Sequence, residues 1–307
     1  MAAAPSTTAP ANPTTYTAIP LTGLVGKDPP PFPLYLRTAD NTWVLYHGAG
    51  QALDESHVGR LTAEGVQQLF LRDHDRGAYL ARIEGSLDQV LMDKHMPLER
   101  RADLLHGVAL RVADALLEAP DRATVQRAQK VMMATSGLLL REQQGFAAIR
   151  RLMSASHGLA AHSLTVSFLS MGLARLVLGG DGGSLVLAGL AGLLHDIGKV
   201  GHEDLDHDPE HTSRGADILR GLGLPVPVVE AARSHHERFD GSGFPRGIKG
   251  AEIPELARIV GVVDSFEKVY STQVPRVGVF DALRILAQAY RGCFDERLAL
   301  GLVQLFR

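Results

Sequence analysis

The sequence predicts a mainly α-helical protein, with an all-helical C-terminal bundle behind a smaller α+β domain. From near Pro97 to the C-terminus, apolar residues recur at helical spacing. Before Pro97 the pattern is short and broken, with aromatic and β-branched runs separated by turn-forming residues. At 307 residues, 45% hydrophobic and 21% charged, the chain is long and apolar enough to bury a sizeable core. The expected division is a disordered tail over 1–17, a small α+β domain with a connecting helix over 18–121, and a helical domain over 122–307.

The first residues are rich in Ala, Pro and Thr, and positions 1–26 contain neither Lys nor Arg. They read as a tail rather than a signal peptide. Positions 32–37 and 42–46 read as strands on either side of the turn-like Thr38-Ala39-Asp40-Asn41. A short helix over 61–66 and a strand over 68–71 follow. His47, His57 and His74 are scattered through this region and read as structural or solvated. Leu98, Ala102, Leu105, Val108 and Val112 then set a helix over 98–117. Pro120 breaks it, and Asp121 is placed to cap the next helix, over 124–144. Further helices are expected over 161–178, 185–194, 209–220, 226–236 and 253–270.

Lys and Arg number 31 against 34 Asp and Glu, for a net charge of -3. That balance gives no electrostatic argument for nucleic acid or an anionic membrane as partner. A single cysteine, Cys293, excludes an intrachain disulfide and a Cys-rich zinc site, and fits a cytoplasmic setting. No run approaches the roughly 18 consecutive apolar residues of a membrane span, so no membrane partner is expected.

Eight of the thirteen histidines fall between His157 and His236. Within this region His195-Asp196 ends an apolar run, and His235-His236 stands at the edge of a glycine-rich loop. Imidazole and carboxylate are costly to bury unless hydrogen bonds or a metal ion offset the lost hydration. Asp264, just after Ile259-Val260-Gly261-Val262-Val263, has the same need. Helices carrying His162, His195-Asp196, His211, His235-His236 and Asp264 together offer enough N and O ligands to enclose a pair of cations. Asp196 is suited to bridge them, giving one oxygen to each of two ions roughly 3.5–4 Å apart. Ligation without thiolate suits Fe, Mn, Zn or Ni rather than Cu(I). Taken singly, His162 and His211 are more simply caps or core histidines. His157 reads as structural, and His202 and His207, in an acidic run, as solvated.

The runs His195-Asp196-Ile197-Gly198-Lys199 and His235-His236-Glu237-Arg238-Phe239-Asp240-Gly241-Ser242-Gly243-Phe244-Pro245, followed by Asp264, carry a resemblance. They resemble the HD-GYP subgroup of the HD-domain metal-dependent phosphohydrolases, over residues 122–307. The preceding part is similar to a small domain found before some HD-GYP modules. The resemblance implies a helical fold, two or three divalent metal ions, often iron with manganese possible, and hydrolysis of cyclic di-GMP to the linear dinucleotide or GMP. It implies His162, His195, Asp196, His211, His235, His236 and Asp264 as metal ligands, and Asp196 and Lys199 as the catalytic pair. Lys199 matches a lysine facing a substrate phosphate, and Gly241, Gly243 and Phe244 stand in the substrate loop. Implied partners are cyclic di-GMP and diguanylate cyclases or other signalling proteins.

Two positions and one stretch depart from that pattern. Phe244 stands where the subgroup has its tyrosine, so the ring is kept and the hydroxyl lost. Gly158 stands where three-metal members place a glutamate, so two ions are expected. The stretch between Lys199 and His211 is short and acidic. A metal-dependent phosphodiesterase using a two-metal-activated water is the leading reading. A catalytically weak module acting as a cyclic dinucleotide sensor or docking partner is the alternative, and a hydrolase of another phosphoester is a third.

Overall fold

The computed structural model describes residues 15–21, 24, 28–38, 40, 42–152, 158–201, 208–272 and 277–307. The chain divides into two compact units, Met1–Asp93 and Lys94–Arg307.

The first unit is built on an antiparallel four-stranded sheet of β1 (Tyr16–Pro20), β2 (Leu34–Arg37), β3 (Trp43–His47) and β4 (Gln68–Arg72), in the order β1-β4-β2-β3. Helices α1 (Glu55–Ala63), α2 (Arg76–Gly85) and α3 (Leu87–Met92) complete it. The expected tail over 1–17 is corrected at its end. Tyr16 and Thr17 pair with Arg72 and Leu71, and Ile19 of the same strand is fully buried. The surrounding Pro/Thr-rich composition hid a strand whose partner lies far along the chain. Residues 1–14 lie outside the described residues. His47 bonds the Gln51 carbonyl at 3.0 Å, while Asp54 caps α1 by accepting from the His57 amide at 3.0 Å. His74 is exposed, with its ring 3.4 Å from Asp75.

The regular elements described in the second unit are all helices. It comprises α4 (Leu98–Glu118), α5 (Arg122–Arg141), α6 (Gly145–Arg150), α7 (Leu159–Leu178), α8 (Gly182–Leu194), α9 (His211–Gly221), α10 (Val226–Ser234), α11 (Glu255–Thr272), α12 (Val279–Ala289) and α13 (Glu296–Gln304). The unit boundary at Asp93 precedes the position near Asp121 expected from sequence. Helix α4 packs on α5, α6 and α7 within the second unit. Asp121 does cap α5, in a reciprocal box with Thr124, through the Thr124 amide at 2.7 Å. The pair α7 and α8 forms the centre, with α4, α5, α10, α11 and α13 packed around it.

Helix α7 is long and apolar enough by length and composition to cross a membrane, but most of it is buried inside the unit. Its Ser163, Ser167 and Ser170 side chains are buried too, and Ser167 donates to the Gly189 carbonyl of α8 at 2.7 Å. These are the features of a core helix packed against protein.

The turn after α8 is seated on α9 by backbone contact. A side chain at Gly198 would run into the His211 carbonyl and lie 2.6 Å from the Gly215 amide nitrogen. Arg214 reinforces the seat, donating from Nε to the Gly198 carbonyl at 2.9 Å and from Nη2 to Asp208 at 2.5 Å. Gly198→Ala therefore forces α9 away from the end of α8, at a cost of about 1–3 kcal/mol for overpacking. Urea denaturation should show that loss, whereas Gly221→Ala, at an open helix end, should stay within about 0.5 kcal/mol of the parent.

Candidate metal centre

Sequence-predicted ligands converge where five helices begin, end or pass. His195 follows the last residue of α8, His235 follows the last residue of α10, and His211 opens α9. His162 lies in the first turn of α7, and Asp264 lies mid-way along α11. Each helix-end histidine uses the same local device. The Nδ1–H of His195 is donated to the Gly192 carbonyl at 2.8 Å, that of His235 to Ala232 at 2.9 Å, and that of His211 to Asp208 at 2.5 Å. Each acceptor is three residues earlier. Because a carbonyl only accepts, these bonds place a ring hydrogen on Nδ1, so that the neutral ring keeps its lone pair on Nε2.

Those Nε2 atoms point inward. Asp196, His211, His235 and His236 form one group of possible ligands, and His162, His195 and Asp264 form another, the atoms of each group lying within 4.8 Å of one another. Asp196 joins the two. Its Oδ1 lies 3.3 Å from His211 Nε2 and 3.5 Å from His235 Nε2, while its Oδ2 lies 3.4 Å from His195 Nε2 and 3.8 Å from His162 Nε2. Asp264 Oδ1 sits 3.3 Å from His162 Nε2 and 3.6 Å from His195 Nε2. Both Asp196 Oδ1 and Asp264 Oδ1 are buried without a hydrogen-bond donor. The ring nitrogens facing each other at 3.3 Å (His162 and His195) and 3.4 Å (His211 and His235) do not supply one when their lone pairs point inward. Buried acceptors facing acceptors need a cation between them. This His/Asp cluster is suited to metal.

The second oxygen of each aspartate is held by a lysine. Lys199 Nζ donates to Asp196 Oδ2 at 2.6 Å, and Lys268 Nζ donates to Asp264 Oδ2 at 2.9 Å. Lys199 itself is buried on Asp196. Two of these groups are not singled out by the sequence pattern: Lys268, and Glu267, which accepts from His162 Nδ1 at 2.5 Å. Their signal was spacing. Positions three and four beyond Asp264 on one helix share its face.

Burial pushes the His162 imidazole down, but Asp264 and Glu267 beside it favour its protonated form and hold it up at about 9, so that a proton and a cation compete for the inward Nε2. His195 is likewise raised against its burial by Asp196 and Asp264. Burial pushes His235 down to about 4, only partly opposed by Asp196, and takes His236 well below the usual histidine range. The carboxyls of Asp196 and Asp264 are held far down despite burial, by His195 and its neighbours and, for Asp264, first by Lys268.

The glycine-rich loop closes over His236. The Phe244 ring stacks on it at 4.7 Å between centroids and 27° between planes. Gly241 has a φ of +87° that favours glycine, and a side chain at Gly243 would lie 2.5 Å from Glu237 Cα. Both glycines are therefore required by the fold of the loop itself. Gly158 begins α7 without a side chain to offer. His157, His202 and His207 lie outside the described residues.

Residues 187–298 match the family model described as an HD domain. Over 186 residues the chain is 33% identical to a cyclic di-GMP phosphodiesterase of Pseudomonas aeruginosa, across 55% of this chain and 44% of that protein. Over 91 residues it is 37% identical to a 3'3'-cGAMP-specific phosphodiesterase of Vibrio cholerae, across 25% of this chain and 21% of that one. The match thus spans less than half the length of either relative. A solved HDG"Y"P protein from Bdellovibrio bacteriovorus has the same fold, with a TM-score of 0.67 at 19% identity, over 95% of this chain and 99% of that one.

The geometry sets the sign of a pH effect. With His162 held at about 9, a cation binding there at pH 7 displaces a proton. Manganese affinity should fall about tenfold for each pH unit lowered, and calorimetry in buffers of different ionisation enthalpy should count at least one proton released. Glu267→Ala removes the carboxylate behind His162 and should weaken manganese binding roughly 10–100-fold, which equilibrium dialysis reads directly.

Proposed function

We propose that this chain, which carries an HD domain over residues 187–298, is a metal-dependent phosphodiesterase hydrolysing cyclic di-GMP to the linear dinucleotide or GMP. The observation that carries this reading is the pair of ligand groups joined through Asp196, with buried carboxylate oxygens turned toward lone pairs. Two divalent cations bound there, iron or manganese in this reading, would supply a water of lowered pKa and positive charge for the phosphoryl oxygens. The names of the Pseudomonas and Vibrio relatives support a cyclic dinucleotide as substrate.

The roles of the chain's own groups follow from their placement. Asp196 divides its two oxygens between the ligand groups, so it fixes their spacing. His195, His211 and His235 hold their Nε2 lone pairs toward it without needing to reorient. Lys199, anchored on Asp196 at 2.6 Å, is assigned to a nonbridging phosphate oxygen, where a fixed cation stabilises developing charge. Gly241 and Gly243 shape the substrate loop, and Phe244 holds His236 in place by stacking. A cytoplasmic setting, with diguanylate cyclases or other signalling proteins as partners, belongs to the same reading.

One observation favours a second reading. Phe244 engages His236 with its ring and brings no hydroxyl to the loop, which suits a metal-bearing cyclic dinucleotide sensor that binds without turnover.

Protein loaded with iron or manganese should contain about two ions per chain and convert cyclic di-GMP to linear product on chromatography. Asp196→Ala should lose both metal and turnover. Lys199→Met should keep its metal while turnover drops roughly a hundredfold. Tight binding with no product would favour the sensor, and preferential cleavage of 3'3'-cGAMP would move the substrate assignment to that dinucleotide.

A further inference from the structure

The ligand cluster is not closed evenly. The side chains of His195, His211, His235, Asp196 and Asp264 are 4% exposed or less. Of the two lysines that hold the aspartates, Lys199 is 9% exposed and Lys268 is 41% exposed. His162, beside Asp264, is also partly open. The cluster thus meets solvent where the first turn of α7 and the middle of α11 bring His162 and Lys268 to it.

Lys268 stands one turn beyond Asp264 on α11. An ion pair at this spacing on a helix surface ordinarily joins two solvated side chains. Here one partner is buried among the ligands and the other reaches out of them. Lys268 Nζ donates to Asp264 Oδ2 at 2.9 Å, while Oδ1 of the same carboxylate faces His162 Nε2 at 3.3 Å and His195 Nε2 at 3.6 Å. Oδ1 is the oxygen left without a donor, and so the one free for a cation. An anion resting on a cation at Oδ1 would therefore lie next to the ammonium at Oδ2, because a single carboxylate spans both. That ammonium has donors to spare. It carries three N–H groups, and Asp264 takes the one hydrogen bond its side chain makes among the described residues. The neighbouring Glu267 is turned to His162 and leaves Lys268 unopposed on its open side.

Lys199 is placed differently. Its charge is buried on Asp196 and stays fixed behind the ligands, where it acts on charge that develops during reaction. A charge at the mouth acts earlier, on an anion as it arrives. We infer that Lys268 is a phosphate-binding residue, whose ammonium contacts a nonbridging oxygen of the phosphodiester at the open side of the centre and sets substrate affinity. The inference rests on the phosphodiesterase reading for the identity of the substrate, and on the pairing and exposure of Lys268 for the anion site.

The test uses Lys268→Gln, which keeps an N–H donor for Asp264 and removes the charge, with Lys268→Arg to restore it. Lys130→Gln removes an equal charge from the exposed face of α5 and controls for net charge. Inorganic phosphate is titrated calorimetrically into each protein saturated with manganese. It should bind Lys268→Gln about tenfold more weakly than the parent, and bind Lys268→Arg and Lys130→Gln as it binds the parent. With cyclic di-GMP, Lys268→Gln should raise KM about tenfold and leave kcat within about twofold. Phosphate that binds the parent and Lys268→Gln alike, or binds neither, overturns the inference and leaves Lys268 as a partner of Asp264 alone. An equal loss in Lys130→Gln overturns it as well, since net charge then accounts for the effect. If the parent does not cleave cyclic di-GMP, the phosphodiesterase reading fails, and the phosphate titration still decides whether Lys268 binds the anion.

Discussion

The centre depends on one repeated interaction, the Nδ1–H of a histidine donated to the backbone carbonyl three residues before it. It occurs at His195, His211 and His235. At the ends of α8 and α10 the acceptors Gly192 and Ala232 are among the final helical carbonyls, which have no amide partner within the helix. One bond thus completes the helix end and selects the ring tautomer. Had the hydrogen sat on Nε2, the Nε2 atoms of His211 and His235, 3.4 Å apart, would present hydrogens to one another. The local backbone, rather than any long-range contact, prepares these three lone pairs.

What the helices must then provide is closeness. The turn bearing Ile197-Gly198-Lys199 lies directly on α9, and α10 and α11 pack against each other and against α8. Asp196 and Asp264 are almost fully buried in the result. Each buried oxygen left without a partner costs about 1–3 kcal/mol, and there are two of them, so the helical core works against the very cluster it assembles. Lys199 and Lys268 offset part of this by holding the other two oxygens. The remainder is a standing preference for cations, and the burial that creates the cost also strengthens their binding.

Much of this was legible in the sequence, for reasons that differ by residue. His195-Asp196 and His235-His236 announce themselves because adjacent polar groups at the end of an apolar run have few explanations. Asp264 is visible for the same reason. His162 and His211 are ordinary as single residues and gain meaning through the others. Glu267 and Lys268 follow Asp264 by one helical turn, but an exposed face of α11 would show the same acidic and basic residues, so spacing alone did not separate the two. Tyr16 and Thr17 failed differently. A strand is recognised by its partner as much as by its own residues, and β4 lies some fifty positions away in the chain.

Arg214 has a consequence for how such a chain can change. Its guanidinium ties the Gly198 carbonyl to the Asp208 carboxylate, and so joins two points ten residues apart in the chain. The ligands on either side are held by that clamp and by the seat of Gly198 on α9. Added length between two fixed points of a flexible chain costs little, about 0.6 kcal/mol for each doubling. A change of length between Gly201 and Asp208 therefore leaves the clamp, and the seat of His211 beside Gly198, in place.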